Sequence, residues 1–433
     1  MTDLSPAPVA KPEGNRADWR RFRLLVGGYG ASSFGSYLNM VALQLFVYKT
    51  TGSALATGLF MVLRMATGFA AGVAGGTVAA RLPRRAVMIS CDLVQASVLL
   101  VFALSPKDVR LALLPVLAVS IGALSTTSQL LLRATVPDFV GAEHRMRANG
   151  LLVTGRAVAM ALGFATGGLL VSWVGYTSAF LVDAGTFCIS ALVLATAGLR
   201  FPPRRGQLRQ PEQPDPLTRS NLLTRSNLLR RSKLVLAALV AAPSVLAIVV
   251  VRSLDCFGSA SHQVGIPIYA TQLQPGNPAG FVGDFWAAWA VGLFAAHQLV
   301  SRVYRSGPRH DERAFVIGTA VMSAAFIAAF SGLRQPWVLL VALIAGLADG
   351  FTEITYTTRV QAEPDPARGL FFGLTAMAEN AGLAIGLLVA AGLLEVWTPL
   401  AVAGLMHGVV VVLAVGYLVR TVRRPSDRTT TSS

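Results

Sequence analysis

The sequence predicts an all-α membrane protein: twelve transmembrane helices arranged as two pseudo-symmetric six-helix bundles. Three observations carry this reading. First, the 433 residues are 54% hydrophobic and only 13% charged, with a mean hydropathy of +0.59. A soluble chain carries roughly 25% charged residues, so a water-soluble globular enzyme does not fit. Second, apolar runs long enough to cross a bilayer recur along the whole chain. A crossing takes about 20 residues, so twelve would use about 240, which matches the apolar fraction. Third, one long polar interval divides the runs six and six. No polar stretch remains to build a large soluble domain, which argues against a receptor with two or three spans.

In order, the spans are 24–48, 54–80, 86–105, 111–132, 150–174, 176–199, 240–268, 281–300, 314–333, 336–357, 370–394 and 397–419. The seventh is the least regular. Its apolar run starts at Leu234, is broken by Arg252 and Asp255, and continues to Ala270. That is too long for one upright helix, so the span is placed late and 234–239 is a lead-in. Strands are excluded because the runs do not alternate and far exceed strand length. A β-barrel would need alternating segments of about ten residues.

Basic residues set the expected orientation. Thirty of the 37 Lys and Arg fall in the N-terminal tail, the C-terminal tail and the loops on the same side as both. The opposite loops hold four: Lys49, Lys107, Arg110 and Arg334. By the positive-inside rule both termini are cytoplasmic and the span count is even. The net charge of +16 is then explained by attraction to an anionic leaflet, and no nucleic-acid partner is needed. Residues 1–20 lack an apolar h-region and a small-residue cleavage site, so no cleaved signal peptide is expected. Cys91, Cys188 and Cys256 are odd in number and widely spaced. They support neither a disulfide framework nor a zinc site.

The expected organisation is a cytoplasmic tail over 1–23, a bundle over 24–199, a cytoplasmic linker over 200–233, a second bundle over 234–419, and a tail over 420–433. Within the linker TRSNLL occurs twice in tandem, at Thr218–Leu223 and Thr224–Leu229. The six-residue offset puts the two Leu-Leu pairs on different helix faces, which favours a replication slip in a tolerant linker over a binding motif. The halves also echo one another. Gly150-Leu151, Arg156 and Gly163 recur 223 residues later as Gly373-Leu374, Glu379 and Gly386. Both sets follow a Pro-Asp, Pro137-Asp138 and Pro364-Asp365, expected in short loops. Many secondary transporters are duplicated this way, with the substrate between the halves.

Charges inside spans are costly and usually face a cavity or a partner. The candidate binding or proton-carrying residues are Arg64, Arg156, Asp183, Arg252, Asp255, His262, Asp349, Glu353 and Glu379. Asp92, Asp284 and Glu395 lie near span ends, where reaching the interface is the simpler reading. Arg252 and Asp255 are spaced i,i+3, and His262 lies seven beyond on the same face. A self-neutralising salt bridge and a proton or substrate relay are both open for them. His262 carries an imidazole that titrates near neutrality when unperturbed; a packed, hydrogen-bonded histidine is its plainer reading. Asp349 and Glu353 are at i,i+4. Two carboxylates in a low-dielectric place do not both ionise cheaply, and one then becomes a proton carrier. The pair could equally recognise a cation or be neutralised by Arg64 or Arg156. Gly68, Gly72, Gly75 and Gly76 line the second span, and Gly163, Gly167 and Gly168 the fifth. Such spacing permits close helix packing, or a moving contact between helices.

The motifs bring a family into view. Gly76 through Arg81, Arg84 and Arg85 resembles the 2–3 loop signature of the major facilitator superfamily, G-x-x-x-D-R-x-G-R-R. Ala80 replaces the Asp and Pro83 the second Gly. The resemblance implies a conformational gating loop at Gly76, Arg81, Arg84 and Arg85, with the Asp-dependent latch missing. Val136-Pro-Asp138, Arg147-Ala-Asn149-Gly150 and Arg156 are similar to the 4–5 region of the macrolide-efflux and siderophore-exporter-like branch. Ala179–Ala184 resembles that branch's sixth span, and Arg64 matches an arginine of its second. The Gly163–Gly168 run is like the fifth-span antiporter signature, with Phe164 in place of Pro. The fourth span lacks the R-x-x-Q-G of drug–proton antiporters. By implication the fold is the major facilitator fold and the activity is proton-driven efflux of a small molecule, such as a drug or natural product, from the plasma membrane. The runner-up is a proton-coupled importer.

An intramembrane transferase is the rival from another class. Asp349-x3-Glu353 would be one acidic cluster of a prenyltransferase, but no second appears. The sequence has no H-E-x-x-H and no Walker A motif, so neither a metal, a cofactor nor ATP-driven transport is expected. The expected partners are a small-molecule substrate, protons and the lipid bilayer, with the chain as a monomer. Trp286, Trp289, Phe371 and Phe372 could line a cavity or face lipid.

Overall fold

The computed structural model describes residues 16–140, 144–196, 243–303, 312–362 and 365–423. Among these residues every regular element is an α-helix. In chain order they are α1 (Arg16–Thr51), α2 (Ala54–Arg81), α3 (Arg84–Leu104), α4 (Lys107–Val140), α5 (Arg145–Val174), α6 (Tyr176–Thr196), α7 (Pro243–Leu273), α8 (Pro278–Val303), α9 (Glu312–Ala329), α10 (Trp337–Gln361), α11 (Asp365–Leu393) and α12 (Pro399–Arg423). The interval 200–233, with its TRSNLL tandem, lies outside the described residues.

Each expected span is a helix. Helices are the natural form for such runs, because lipid offers the backbone no other hydrogen-bond partners. Breaks occur where the chain chemistry demands them. Gly52 (φ +66°) separates α1 from α2 and Gly175 (φ +95°) separates α5 from α6, a backbone region that penalises any Cβ. Proline opens α7, α8 and α12, where its missing N–H costs nothing. Several helix ends lie a few residues from the expected span ends, and two of the differences move residues singled out in the sequence. α4 continues to Val140, so Pro137-Asp138 lies in its last turns rather than in a loop. α7 continues to Leu273, with Pro267 inside it.

Nine stretches of the described residues are long and apolar enough to cross a membrane by length and composition. α1, α7 and α9 are the exceptions. The apolar part of α9 is shorter, Arg313–Ala329. α1 and α7 carry polar groups at mid-helix, among them Ser33, Ser36 and Asn39 in one and Arg252, Asp255 and His262 in the other.

The packing has an internal symmetry. α1 packs on α5 and α6, α2 on α4, and α3 on α4 and α6. Adding six to each label gives the second half: α7 on α11 and α12, α8 on α10, and α9 on α10 and α12. The halves meet through α5 with α8 and α2 with α11, pairs that exchange under the same operation. The 223-residue echo holds at atomic level. A Cβ on Gly163 would lie 2.7 Å from the Phe34 carbonyl oxygen and 2.8 Å from Tyr37 Cβ. A Cβ on Gly386 would lie 2.5 Å from the Phe257 carbonyl oxygen and 2.9 Å from Ala260 Cβ. Both partners are shifted by the same interval.

The two ends of the molecule differ. One face carries the start of α1 and the end of α12; we call it the terminal face, and its opposite the far face. Near the terminal face each half has its own core. Phe22, Met88, Leu131, Val136 and Leu152 form one, entirely in α1–α6. Ile248, Phe315, Tyr356, Phe371 and Ala414 form the other, entirely in α7–α12. Toward the far face the cores are shared. Ala54, Met61 and Met65 of α2 pack with Val264 of α7 and Leu387 and Ala391 of α11. Phe164 of α5 stacks near Trp286 of α8 at 5.9 Å. The halves thus share cores from mid-membrane to the far face and keep separate cores toward the terminal face, where exposed Arg156 and Glu353 lie.

Candidate functional site

The densest set of buried charges lies in the second half. Arg252, in the middle of α7, donates from Nη1 to Asp255 Oδ2 at 3.2 Å and from Nε to Glu379 Oε1 of α11 at 3.1 Å. Its guanidinium sits 5.6 Å from the Tyr356 ring centroid of α10. Asp255 is 2% exposed, and its Oδ1 has no hydrogen-bond partner among the described residues. Asp349 of α10 is half-buried within electrostatic reach of Arg252. One guanidinium therefore faces three carboxylates on three helices.

The first half presents cations. Arg156 of α5 donates to the Tyr37 hydroxyl at 2.8 Å and lies 6.0 Å from that ring centroid. It is also within electrostatic reach of Glu353 on α10. Glu353 and Arg156 are both exposed, one on each half. Arg64 of α2 is half-buried beside Tyr37 and Asp183 and makes no side-chain hydrogen bond to a described residue. Asp183 is enclosed between α1 and α6, where Asn39 Nδ2 donates to its Oδ2 at 2.7 Å.

His262 does not join Arg252 and Asp255. It is buried among rings instead, stacked on Phe326 at 3.5 Å. Its Nδ1 lies 3.1 Å from His407 Nε2, and His407 Nδ1 lies 3.2 Å from Ser323 Oγ. The helical face of the sequence reading is overridden by α9 and α12, which pack on the far half of α7. His407 was passed over, although it and His297 both stand inside expected spans.

The gating-loop residues brace one half. Arg84 donates to the Ala134 carbonyl at 2.9 Å and Arg85 to the carbonyls of Leu194 and Ala195. These bonds tie the start of α3 to the ends of α4 and α6. The surroundings of Gly76 and the side chains of Arg81 and Phe372 are outside what is described. Of the glycines, Gly68 packs on Gly122 of α4, and Gly163 and Gly167 on α1. Only Gly168 of that run meets the other half, at Ala279 and Gly283 of α8. Trp286, Trp289 and Phe371 face the interior rather than lipid.

The three carboxylates set aside at span ends behave differently from one another. Asp284 is exposed and accepts from Gln335 at 3.3 Å. Asp92 is a correction: it is only 3% exposed and lines a cavity of about 80 Å³ inside the first half. Glu395 crosses the halves. It accepts from Ser53 Oγ at 2.6 Å and from the Leu55 amide at 2.8 Å. A carboxylate from the α11–α12 turn thus caps the start of α2. Those bonds hold its pKa below the usual glutamate range.

Among the described residues no group of His, Cys, Asp and Glu is arranged to hold a metal ion. The fold and these opposed charges define a multi-pass membrane protein built from two related halves. The chain belongs to the Major Facilitator Superfamily, whose family model matches residues 25–366. No match was found among the curated protein sequences. Among solved structures it is similar to the POT family transporter PepTSo, with a TM-score of 0.69 at 14% identity, covering 93% of this chain and 97% of that one. It is similar to the peptide transporter POT in complex with sulfate, with a TM-score of 0.67 at 14% identity, over 93% and 94% of the two chains. A bacterial homolog of the human lysosomal transporter Spinster, inward-facing and occupied, gives a TM-score of 0.67 at 14% identity over 98% and 100%. Membership of that family makes the chain a membrane transporter rather than an enzyme, and the solved neighbours share its fold.

Proposed function

We propose that this transporter is a proton-coupled exporter that works by alternating access, in the macrolide-efflux and siderophore-exporter-like branch. It stands as a monomer in the plasma membrane with both termini in the cytoplasm, so a cleft between the halves opens inward. The organisation carried forward is a tail over 1–23, bundles over 24–199 and 234–419, a linker over 200–233 and a tail over 420–433. One observation carries the reading: Arg156 of the first half and Glu353 of the second, both exposed, lie within electrostatic reach of each other. Charges held in a low-dielectric cleft must change partners when the halves rock or a proton arrives. Asp349 and Glu353, four residues apart on one face of α10, are the carboxylates that take that proton in this reading. Arg252 is the fixed countercharge behind them. Asp183, held by Asn39, and the His262–His407 pair support the halves from within.

Accumulation of a panel of toxic compounds, in a strain lacking its own pumps, tests direction and substrate together. Cells expressing the chain accumulate less of at least one compound, and a protonophore abolishes the difference. Greater accumulation of the compound would point to import. In proteoliposomes, Asp349→Asn and Glu353→Gln each abolish proton-coupled flux with expression unchanged. Wild-type coupling in both single variants and the double variant removes the pair from the mechanism.

A further inference from the structure

The cavity beside Asp92 is lined by the first half alone, and of its lining residues the mechanism above uses only Arg156. α1 contributes Ser36, α3 contributes Asp92 and Gln95, and α4 contributes Ser125 and Ser128. Arg156 and Tyr37 also line it, and Arg156 is exposed within electrostatic reach of Glu353 of the second half, so the cavity adjoins the seam between the halves. Its volume of about 80 Å³ holds two or three waters or one functional group of a ligand.

Its chemistry is specific. Ser125 donates to Gln95 Oε1 at 2.7 Å, which directs that amide. Ser36 and Ser128 make no side-chain hydrogen bond to a described residue, so their hydroxyls are free to donate and accept. Asp92 makes no ion pair among the described residues; Ser190 of α6 is its hydrogen-bonding neighbour, and its Oδ2 is buried without a hydrogen-bond partner. A buried carboxylate oxygen left unpaired is costly unless something brings a donor to it. The surrounding hydroxyls and amides suit a neighbouring alcohol, and the carboxylate suits an ammonium.

We infer that this pocket recognises the ammonium group of a hydroxylated organic amine, with Asp92 as its anionic anchor and the serine hydroxyls on α1 and α4 reading the adjacent alcohol. The substrate class is then an amino alcohol or amino sugar, or a larger molecule bearing one. The inference rests on the transport reading and names the chemistry its cleft selects.

Thermal stabilisation of the purified full chain in detergent tests it with two matched pairs of probes: glucosamine against glucose, and 2-amino-1,3-propanediol against glycerol. In at least one pair the amine binds about tenfold or more tightly than its neutral partner, and Asp92→Asn removes that preference, a loss of about ten- to a hundredfold. Equal binding within both pairs on the wild-type chain overturns the inference, and this comparison stands even if the variant fails to fold. An amine preference that survives in folded Asp92→Asn overturns it too. Failure of the two readings is distinguishable. Absent gradient-driven flux with intact Asp92-dependent amine binding removes only the coupling. Intact flux with no amine preference removes only the pocket.

Discussion

Arg252 holds two carboxylates from two helices, so removing it leaves buried negative charge without a partner. Breaking a buried pair from one side costs about 3–5 kcal/mol. Glu379 is 30% exposed and Asp255 2%, which places most of that cost on Asp255. Arg252→Met is therefore expected to lower the melting temperature clearly, and Arg252→Met with Asp255→Asn to recover much of the loss. Equal stability of wild type and Arg252→Met would show the cluster to be solvated. The i,i+3 pair was legible in the sequence because helix geometry alone brings Arg252 to Asp255. Glu379 as third member was visible only as a charge in another span. Asp92 was misplaced because depth along a span does not say which way a side chain points. Periodicity groups His262 with Arg252 and Asp255, but the rings of α9 and α12 decide its surroundings, and no single-sequence pattern reports those.

Glycines divide the helix contacts into those within a half and those between halves. A Cβ on Gly122 would strike the Arg64 carbonyl, and one on Gly346 the Trp289 carbonyl. These are the matching α2–α4 and α8–α10 contacts of the two halves. Gly122→Ala and Gly346→Ala should each destabilise by about 1–3 kcal/mol through overpacking. Gly392, with nothing within 4 Å of an added Cβ, should tolerate alanine, as thermal melts of the three variants would show. Gly168→Ala acts elsewhere, since its Cβ would meet the Ala279 carbonyl oxygen at 2.5 Å and Gly283 Cα at 2.8 Å. It should hold the far face open while leaving each half intact. The Glu395 cap works at the same face. Its depressed pKa means that the closed far face is favoured while Glu395 is ionised and loses that support as pH falls through the folded value. Acidifying the far side should raise thiol labelling of a cysteine at Ala391, and Glu395→Gln should raise it at neutral pH and remove the dependence. Small-residue spacing in the sequence showed that close contacts exist on α2 and α5, but not which neighbour each glycine meets. That depends on how the halves are docked.

At the scale of the molecule, the twelve helices and their six-and-six division were legible because hydropathy and loop charge are summed over many residues. The duplication was faint in sequence, four matched positions around a 223-residue offset, yet the packing repeats it pair for pair. Sequence could not show which cores are shared, because that is a property of how the two halves lean on one another. On the proposed alternating-access reading, the shared cores at the far face and the separate cores at the terminal face let the halves pivot rather than deform. Distances between paired spin labels test this most directly. One pair joins Leu55 to Trp397 at the far face and the other Leu82 to Gln361 at the terminal face, all exposed positions. As pH and substrate are varied, the account predicts two populations in which one distance lengthens as the other shortens. Both distances staying fixed under every condition, or lengthening together, would contradict it.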